Sequence, residues 1–413
     1  MKLTTTATAA LAATFVAACS SSTGSTAAHT APEKSAPPAS TAAASPAAAH
    51  GAEAPIGSIP WSEVGAGWML ATWSPVPGTR PGEDRPPNEP SRDTASTTLY
   101  LVDPAGGRYP ITTFPPPGDK PAADLVDWSG DGSKALFHAE YADPSSAIVV
   151  DLHTGRQTSV PVDGYPHFTR PDGKALLVAH IGDNEHPGTL GRVDLSGKPQ
   201  LTYPTEKLAS PFNGRYLSTP DGTRLVLGTD AGLSLMGNDG IIGSTLSIPG
   251  QTECSPVRWW DAQATTVLAK CTSSDSWYTS SLWRVPVDGG TPTAVTSPND
   301  GQNSGQDLGD VNAWQLPSGT FVQALGACGV IYLARLGNDG TTTPVSVPNV
   351  DEHKSIEVIG ADGASLDLQA QAACGGGQSL LRYDPAANTS TMLLGPPVNG
   401  GGVIDALAFA GQR

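Results

Sequence analysis

The stretch Arg170-Pro171-Asp172-Gly173-Lys174-Ala175-Leu176-Leu177-Val178 sets a tight turn directly before an apolar run. Asp-Gly between strand-like segments signals a hairpin, because glycine enters the positive-φ region that tight turns require without steric cost. The pair returns at Asp131-Gly132, Asp221-Gly222 and Asp362-Gly363, each between strand-like runs. Such recurrence marks a repeat architecture, and with it the whole fold.

Working outward from Asp172-Gly173 gives a four-part unit over residues 165–204. An inner strand carries His167 and Phe168, the second strand covers 175–180, and a longer loop covers 182–188. A third strand (190–195), the turn Ser196-Gly197-Lys198-Pro199 and a fourth strand (201–203) complete it. Four-stranded sheets of this kind bury both faces only when stacked radially. The unit can be traced over residues 59–114, 124–162, 165–204, 213–249, 253–298, 308–348 and 355–396, so the expected fold is an all-β, seven-bladed β-propeller with four-stranded antiparallel blades. A further strand-like run, 403–409, seals the ring by completing a blade at the opposite terminus. Either that tail or residues 59–64 sits innermost in the closing blade.

Arg170-Pro171-Asp172-Gly173-Lys174-Ala175-Leu176 and Thr219-Pro220-Asp221-Gly222-Thr223-Arg224-Leu225 resemble the Ser-Pro-Asp-Gly-Lys repeat of TolB-like β-propellers, which belong to the WD type, and Ser129-Gly130-Asp131-Gly132-Ser133-Lys134 is a weaker copy. The block pattern extends the likeness over residues 59–409. The chain lacks the α/β N-terminal domain of TolB and looks most like the lipid-anchored, TolB-like propeller proteins of high-GC Gram-positive bacteria. The resemblance implies architecture and no particular activity.

Composition agrees with many short strands joined by many turns: 47 glycines and 38 prolines in 413 residues. The net charge of -16 excludes nucleic acid as a partner, since that binding rests on neutralising phosphates. Lys2 and the short apolar run 7–18 read as a cleaved export signal. Val16-Ala17-Ala18-Cys19 resembles the bacterial lipobox, which makes Cys19 the lipidated mature N-terminus. The expected organisation is a signal peptide (1–18), a lipidated Cys and disordered Ser/Thr/Ala/Pro tether (19–55), and the propeller (56–413). A tether of this composition cannot bury enough apolar surface to order itself. The protein is thus expected to be exported and held by lipid on the extracytoplasmic face of the cell membrane, as a monomer.

Four cysteines remain, and an exported chain makes two disulfides of them. A turn at residues 261–264 sets Cys254 directly opposite Cys271, within bridging distance. Cys328 and Cys374 end second strands in adjacent blades and form the second bridge by position.

Catalytic motifs are largely missing. There is no Gly-x-Ser-x-Gly elbow, no His-Glu-x-x-His and no phosphate-cradling loop. No cofactor and no metal are expected. The second-to-third loops and the blade connections share one face and vary in length: 74–97, 183–188, 272–280 and 299–310. A rigid scaffold presenting variable loops is a common way to build a binding site. Asp183, Glu185 and His186 crowd one loop, Trp277 and Tyr278 stand in another, and Asp307 and Asp310 in a third. Tyr and Trp are favoured at binding hot spots. The reading is a binding or scaffolding module for a protein, glycan or small molecule. Its competitor is a metal-dependent lactonase or lyase with carboxylates and histidines converging on the axial channel.

Overall fold

The computed structural model describes residues 48–77, 90–118, 122–140, 145–183, 185–298, 310–325, 331–350, 355–371 and 377–409. Among them, the strands form five antiparallel sheets, three of four strands and two of eight, each of the latter joining two hairpin-linked sets through a single residue pair, Thr229↔Cys254 or Gln378↔Val403. The first set in chain order contains β1 (Met69–Ser74), β2 (Thr97–Val102) and β3 (Arg108–Phe114). The second is β4 (Asp124–Trp128), β5 (Lys134–Ala139), β6 (Ser146–Asp151) and β7 (Gln157–Pro161). The third is β8 (Tyr165–Phe168), β9 (Ala175–His180), β10 (Thr189–Asp194) and β11 (Pro199–Thr202). The fourth is β12 (Phe212–Ser218), β13 (Arg224–Thr229), β14 (Gly232–Gly237) and β15 (Ile242–Leu246). The fifth is β16 (Gln251–Trp259), β17 (Thr266–Ser273), β18 (Ser276–Pro286) and β19 (Thr293–Ala294). The sixth is β20 (Asn312–Leu316), β21 (Gly319–Leu325), β22 (Ile331–Leu336) and β23 (Thr342–Pro344). The seventh is β24 (Ile356–Asp362), β25 (Ser365–Gln371), β26 (Gln378–Asp384) and β27 (Thr389–Leu394), and β28 (Gly402–Ala408) ends the chain.

β28 pairs with β1 from Met69↔Ala408 to Ser74↔Gly402, so the last strand is the innermost of the first set. Neighbouring sets touch in order: β28 meets β4, β4 meets β8, β9 meets β12, β12 meets β16, β17 meets β20, β22 meets β24, and β24 returns to β28. A closed ring of four-stranded antiparallel sheets is a β-propeller. The two candidates for the closing strand are thereby separated. Residues 59–64 form turns, not a strand. Pro60 supplies no N–H for a ladder, and Ile59 and Trp61 pack instead on the core between the first two blades.

Each Asp-Gly pair connects an inner strand to the second strand of its blade, and Gly132, Gly173, Gly222 and Gly363 all take positive φ. Asp221 Oδ1 accepts from Thr219 Oγ1 (2.5 Å) and from the amide of Thr223 (3.0 Å). Those bonds, that of the Thr219 hydroxyl first, hold its carboxyl below the usual carboxylate range. Gly222 has a second duty, because a Cβ there would collide with the Arg170 carbonyl of the preceding blade. The core consists of seams between blades, such as Leu136 and Val149 against Phe168, Leu176 and Val178.

Residues 48–55, assigned to the tether from composition, run beside β3. Glu53 bridges to Arg108, the Ala48 amide donates to Tyr109 Oη (3.0 Å), and His50 Nε2 lies 2.8 Å from the Met392 carbonyl oxygen. They shield an outer strand that would otherwise offer a free edge. Among the described residues no helix is long and apolar enough to cross a membrane.

Candidate functional site

Antiparallel meanders give the ring two unlike ends. The Asp-Gly turns and the third-to-fourth turns share the turn side; the second-to-third loops and blade connections share the loop side.

On the loop side, Asp183, Glu185 and His186 are exposed in the connection between β9 and β10. Asp183 Oδ1 accepts from the amides of Glu185 (2.8 Å) and His186 (2.7 Å) and lies 3.3 Å from His186 Nδ1. The Glu185 amide, then that of His186, pulls the Asp183 carboxyl below its ordinary range. The loop is organised around its own carboxylate. Asp310 stands elsewhere, at the entrance to β20, where it accepts from Lys270 Nζ (3.1 Å) and Ser280 Oγ (2.8 Å) of the fifth blade. Cys254 and Cys271 are joined by a disulfide with a Cα separation of 4.1 Å. Bulges on either side of Ser255–Pro256 bring the two strands into the register that opposes them. Cys19, Cys328, Cys374 and Asp307 lie outside the described residues.

Trp277 and Tyr278 require a correction. The expected loop over 272–280 is a hairpin closed by a turn at Ser274–Asp275, and both aromatics belong to β18. The Ser and Thr residues that read as loop instead pair across strands, as Thr272↔Ser280 and Cys271↔Ser281. The side chains of Trp277 and Tyr278 are outside what the structure describes.

Large hydrophobic side chains left exposed are concentrated on the same side. Among the described residues they include Tyr165, Ile181, Leu325 and Tyr332, all at loop-side ends of strands; Ile241 and Ile242 lie at the turn side.

Two cavities follow the inner strands. The smaller, about 300 Å³, is bounded by Tyr165, His167, Arg170, Ile181, Arg215 and Tyr216. Its chemistry is internally balanced. Arg170 Nη2 donates to Asp127 Oδ1 at 2.7 Å and Nη1 to the Trp128 carbonyl at 3.0 Å. Asp127 Oδ2 accepts from the Phe168 amide at 2.8 Å and lies 3.8 Å from His167 Nδ1. Desolvation lowers the pKa of His167, with Arg170 and Arg215 adding to this against the pull of Asp127, although the side chain is about half exposed (49%), which weakens the effect.

The larger cavity, about 440 Å³, opens among the inner-strand ends on the turn side. Gly360, Ala361 and Ala408 leave its space, and Arg258, Trp259, Trp260 and Trp314 furnish its wall. The Arg258 guanidinium stacks over Trp314, 5.2 Å from the ring centroid, and Nη1 donates to the Ala313 carbonyl at 3.2 Å. No carboxylate of the described residues pairs with it. Desolvation without a counter-charge lowers its pKa to about 10. Arg284 stacks on Trp260 at 5.6 Å. Sequence reasoning passed over Arg258. The signal was the run Arg258-Trp259-Trp260, a cation inside an aromatic inner strand.

At the inner edge on the opposite side, Asp405 Oδ2 accepts from the Leu125 amide (3.3 Å) and Thr72 Oγ1 (3.4 Å). Asp124 and Glu357 occupy the neighbouring inner strands. Among the described residues no three His, Cys, Asp or Glu side chains are grouped to hold a metal.

No protein-family model matches the chain. No curated protein matches it either. Among solved structures it is similar to TolB from Acinetobacter baumannii, at 15% identity over 83% of this chain and 66% of that chain, with a TM-score of 0.41. It is similar to the β-propeller domain of the Trilobed protease from Pyrococcus furiosus, at 12% identity over 79% and 99%, TM-score 0.45. A third is the acylaminoacyl peptidase from Pyrococcus horikoshii, at 13% identity over 79% and 53%, TM-score 0.46. The chain thus spans just under two thirds of TolB and about half of the peptidase.

Proposed function

We propose that the protein is a binding or scaffolding module of the cell envelope, exported, anchored by lipid at Cys19, and engaging a protein partner through the loop side of its propeller. The observation that carries this reading is that four of the six large hydrophobic side chains exposed among the described residues, Tyr165 and Ile181 on the third blade and Leu325 and Tyr332 on the sixth, lie at loop-side strand ends. An end of the ring that carries most of the exposed large apolar side chains is the better candidate for a partner surface. That surface is also stiff: the Cys254–Cys271 disulfide and the Lys270–Asp310 pair brace the ends of the fifth and sixth blades. Binding to a braced surface costs less ordering entropy than binding to free loops.

The test is photo-cross-linking in intact cells, with the reactive residue placed at Ile181, Leu325 or Tyr332 and, as control, at Ile241 on the turn side. Adducts at the first three and none at Ile241 are expected. Equal labelling at all four, or none, overturns the reading. Mass spectrometry of the mature N-terminus checks the anchor: an unmodified Cys19 removes it.

A further inference from the structure

We propose that the turn-side cavity is a binding site for a small carboxylate-bearing molecule with a flat, apolar body. The site lies opposite the loop side, so this goes beyond the preceding reading and does not depend on it.

The wall is made of donors and rings. Arg258 reaches from the fifth blade to the sixth, yet only Nη1 finds an acceptor, the Ala313 carbonyl. Its Nε and Nη2 donate to no described residue. The indole Nε1 atoms of Trp260 and Trp314 likewise have no acceptor among the described residues, whereas Trp259 Nε1 is engaged by the Ser218 carbonyl at 2.9 Å. Asp261 also lines the cavity, but its oxygens already accept from the amides of Gln263 and Thr265 and from Thr265 Oγ1. The wall therefore offers hydrogen-bond donors whose natural complement is an acceptor from outside.

A second guanidinium reinforces the polarity. Arg284 lies on the same face of the blade, because Leu268 is the direct partner of both Arg258 and Arg284. Its Nε is buried with no partner. Elsewhere the same kind of bridge is closed by a carboxylate: Arg170 by Asp127, and Arg382 by Asp367 at 2.9 Å. Arg258 keeps the bridge and lacks the carboxylate.

The class of ligand follows from the donor geometry. A guanidinium presents a planar fork matched to the two oxygens of a carboxylate, and the pair gains most where water is excluded. Trp259 and Trp260, both only partly buried, suit a flat body by stacking, with the buried Trp314 backing Arg258. The volume of about 440 Å³ lies in the range of small-molecule sites. A phosphate dianion calls for more cationic donors than the single accessible fork of Arg258.

The experiment titrates the full-length protein calorimetrically with indole-3-acetate, indole-3-acetamide and inorganic phosphate. Indole-3-acetate is expected to bind at least about tenfold more tightly than the amide, the worth of one charge-assisted fork. Arg258→Gln is expected to bring acid and amide to within about twofold. In parallel, wild-type protein labelled with 5-fluorotryptophan should show resonances that move at about tenfold lower concentration of the acid than of the amide, a readout that needs no variant to fold. Equal affinity for acid and amide, tighter binding of phosphate, or unmoved fluorine resonances at saturating acid overturns the proposal.

Discussion

Asp405→Asn should make the protein more stable, and by an amount that depends on pH. Asp405 sits where the closing strand β28 meets β4, and burial, opposed by the bond from the Leu125 amide, raises its pKa from 3.8 to about 6, with Asp124 and Glu357 adding like-charge repulsion. Its two hydrogen bonds, 3.3 and 3.4 Å, are too long to offset the lost hydration. Because the folded pKa is above the unfolded one, the folded state binds the proton more tightly. Stability is fully present below 3.8 and falls as the pH rises towards 6. The shift corresponds to about 3 kcal/mol once the pH is well above 6, an upper bound because the residue is only partly buried. Asn keeps an oxygen for the Leu125 amide and never ionises. The expected gain is therefore about 3 kcal/mol at pH 7.5 and about half of that at pH 5, with a rise in melting temperature of roughly 4 °C at the higher pH for a chain of this size. Urea unfolding followed by tryptophan fluorescence at the two pH values measures it. A variant less stable than the parent at pH 7.5, or one with the same gain at both, would refute the linkage.

Gly222→Ala should cost on the order of 3 kcal/mol, combining a left-handed φ with overpacking against Arg170. Gly363→Ala, with open space around the added carbon, should cost only about 1 kcal/mol; equal melting temperatures for the two would contradict the idea that the repeated glycine also sets blade spacing. Replacing both Cys254 and Cys271 by alanine should lower stability by about 3 kcal/mol for a sequence separation of 17, and reductant should bring the parent to the same midpoint. Asp127→Ala should destabilise by about 3 to 5 kcal/mol by leaving Arg170 buried without its carboxylate; Arg170→Met in the same background should recover part of that loss in chemical denaturation.

The third blade was legible almost strand by strand. Residues 175–180 were expected as its second strand, and β9 is Ala175–His180. The reason is physical: positive φ at glycine and apolar runs behind it are local demands that a sequence displays openly. The disulfide between Cys254 and Cys271 was expected from the turn at 261–264, but the register beside that turn pairs Trp259 with Val267, and a bulge between Pro256 and Arg258 supplies the one-residue shift that opposes the cysteines. What failed had a different origin. Residues 59–64 look strand-like by composition, but Pro60 and the competing tail decide their fate over the full length of the chain. Thr272, Ser276 and Ser280 read as loop because polar residues in β17 and β18 pair across strands as readily as they coil. The Arg258 cavity was least legible, because an arginine on an inner strand looks the same whether or not a carboxylate waits on the next blade.

The charge of the whole molecule and that of its turn-side cavity point in opposite directions, and distance reconciles them. A net charge of -16 repels a polyanion over its entire length, but at physiological salt each exposed charge is screened beyond about 8 Å. A single carboxylate about 4 Å from a guanidinium in partly excluded solvent gains about 4 kcal/mol. The local term wins for a small monoanion that fits inside, and the global term wins for a chain of phosphates that cannot enter. A surface whose net charge disfavours nucleic acid is therefore compatible with the proposed cavity for small carboxylates. Such a site would show a weak dependence of affinity on salt, with roughly one charge pair at stake, where a polyanion site would show a steep one.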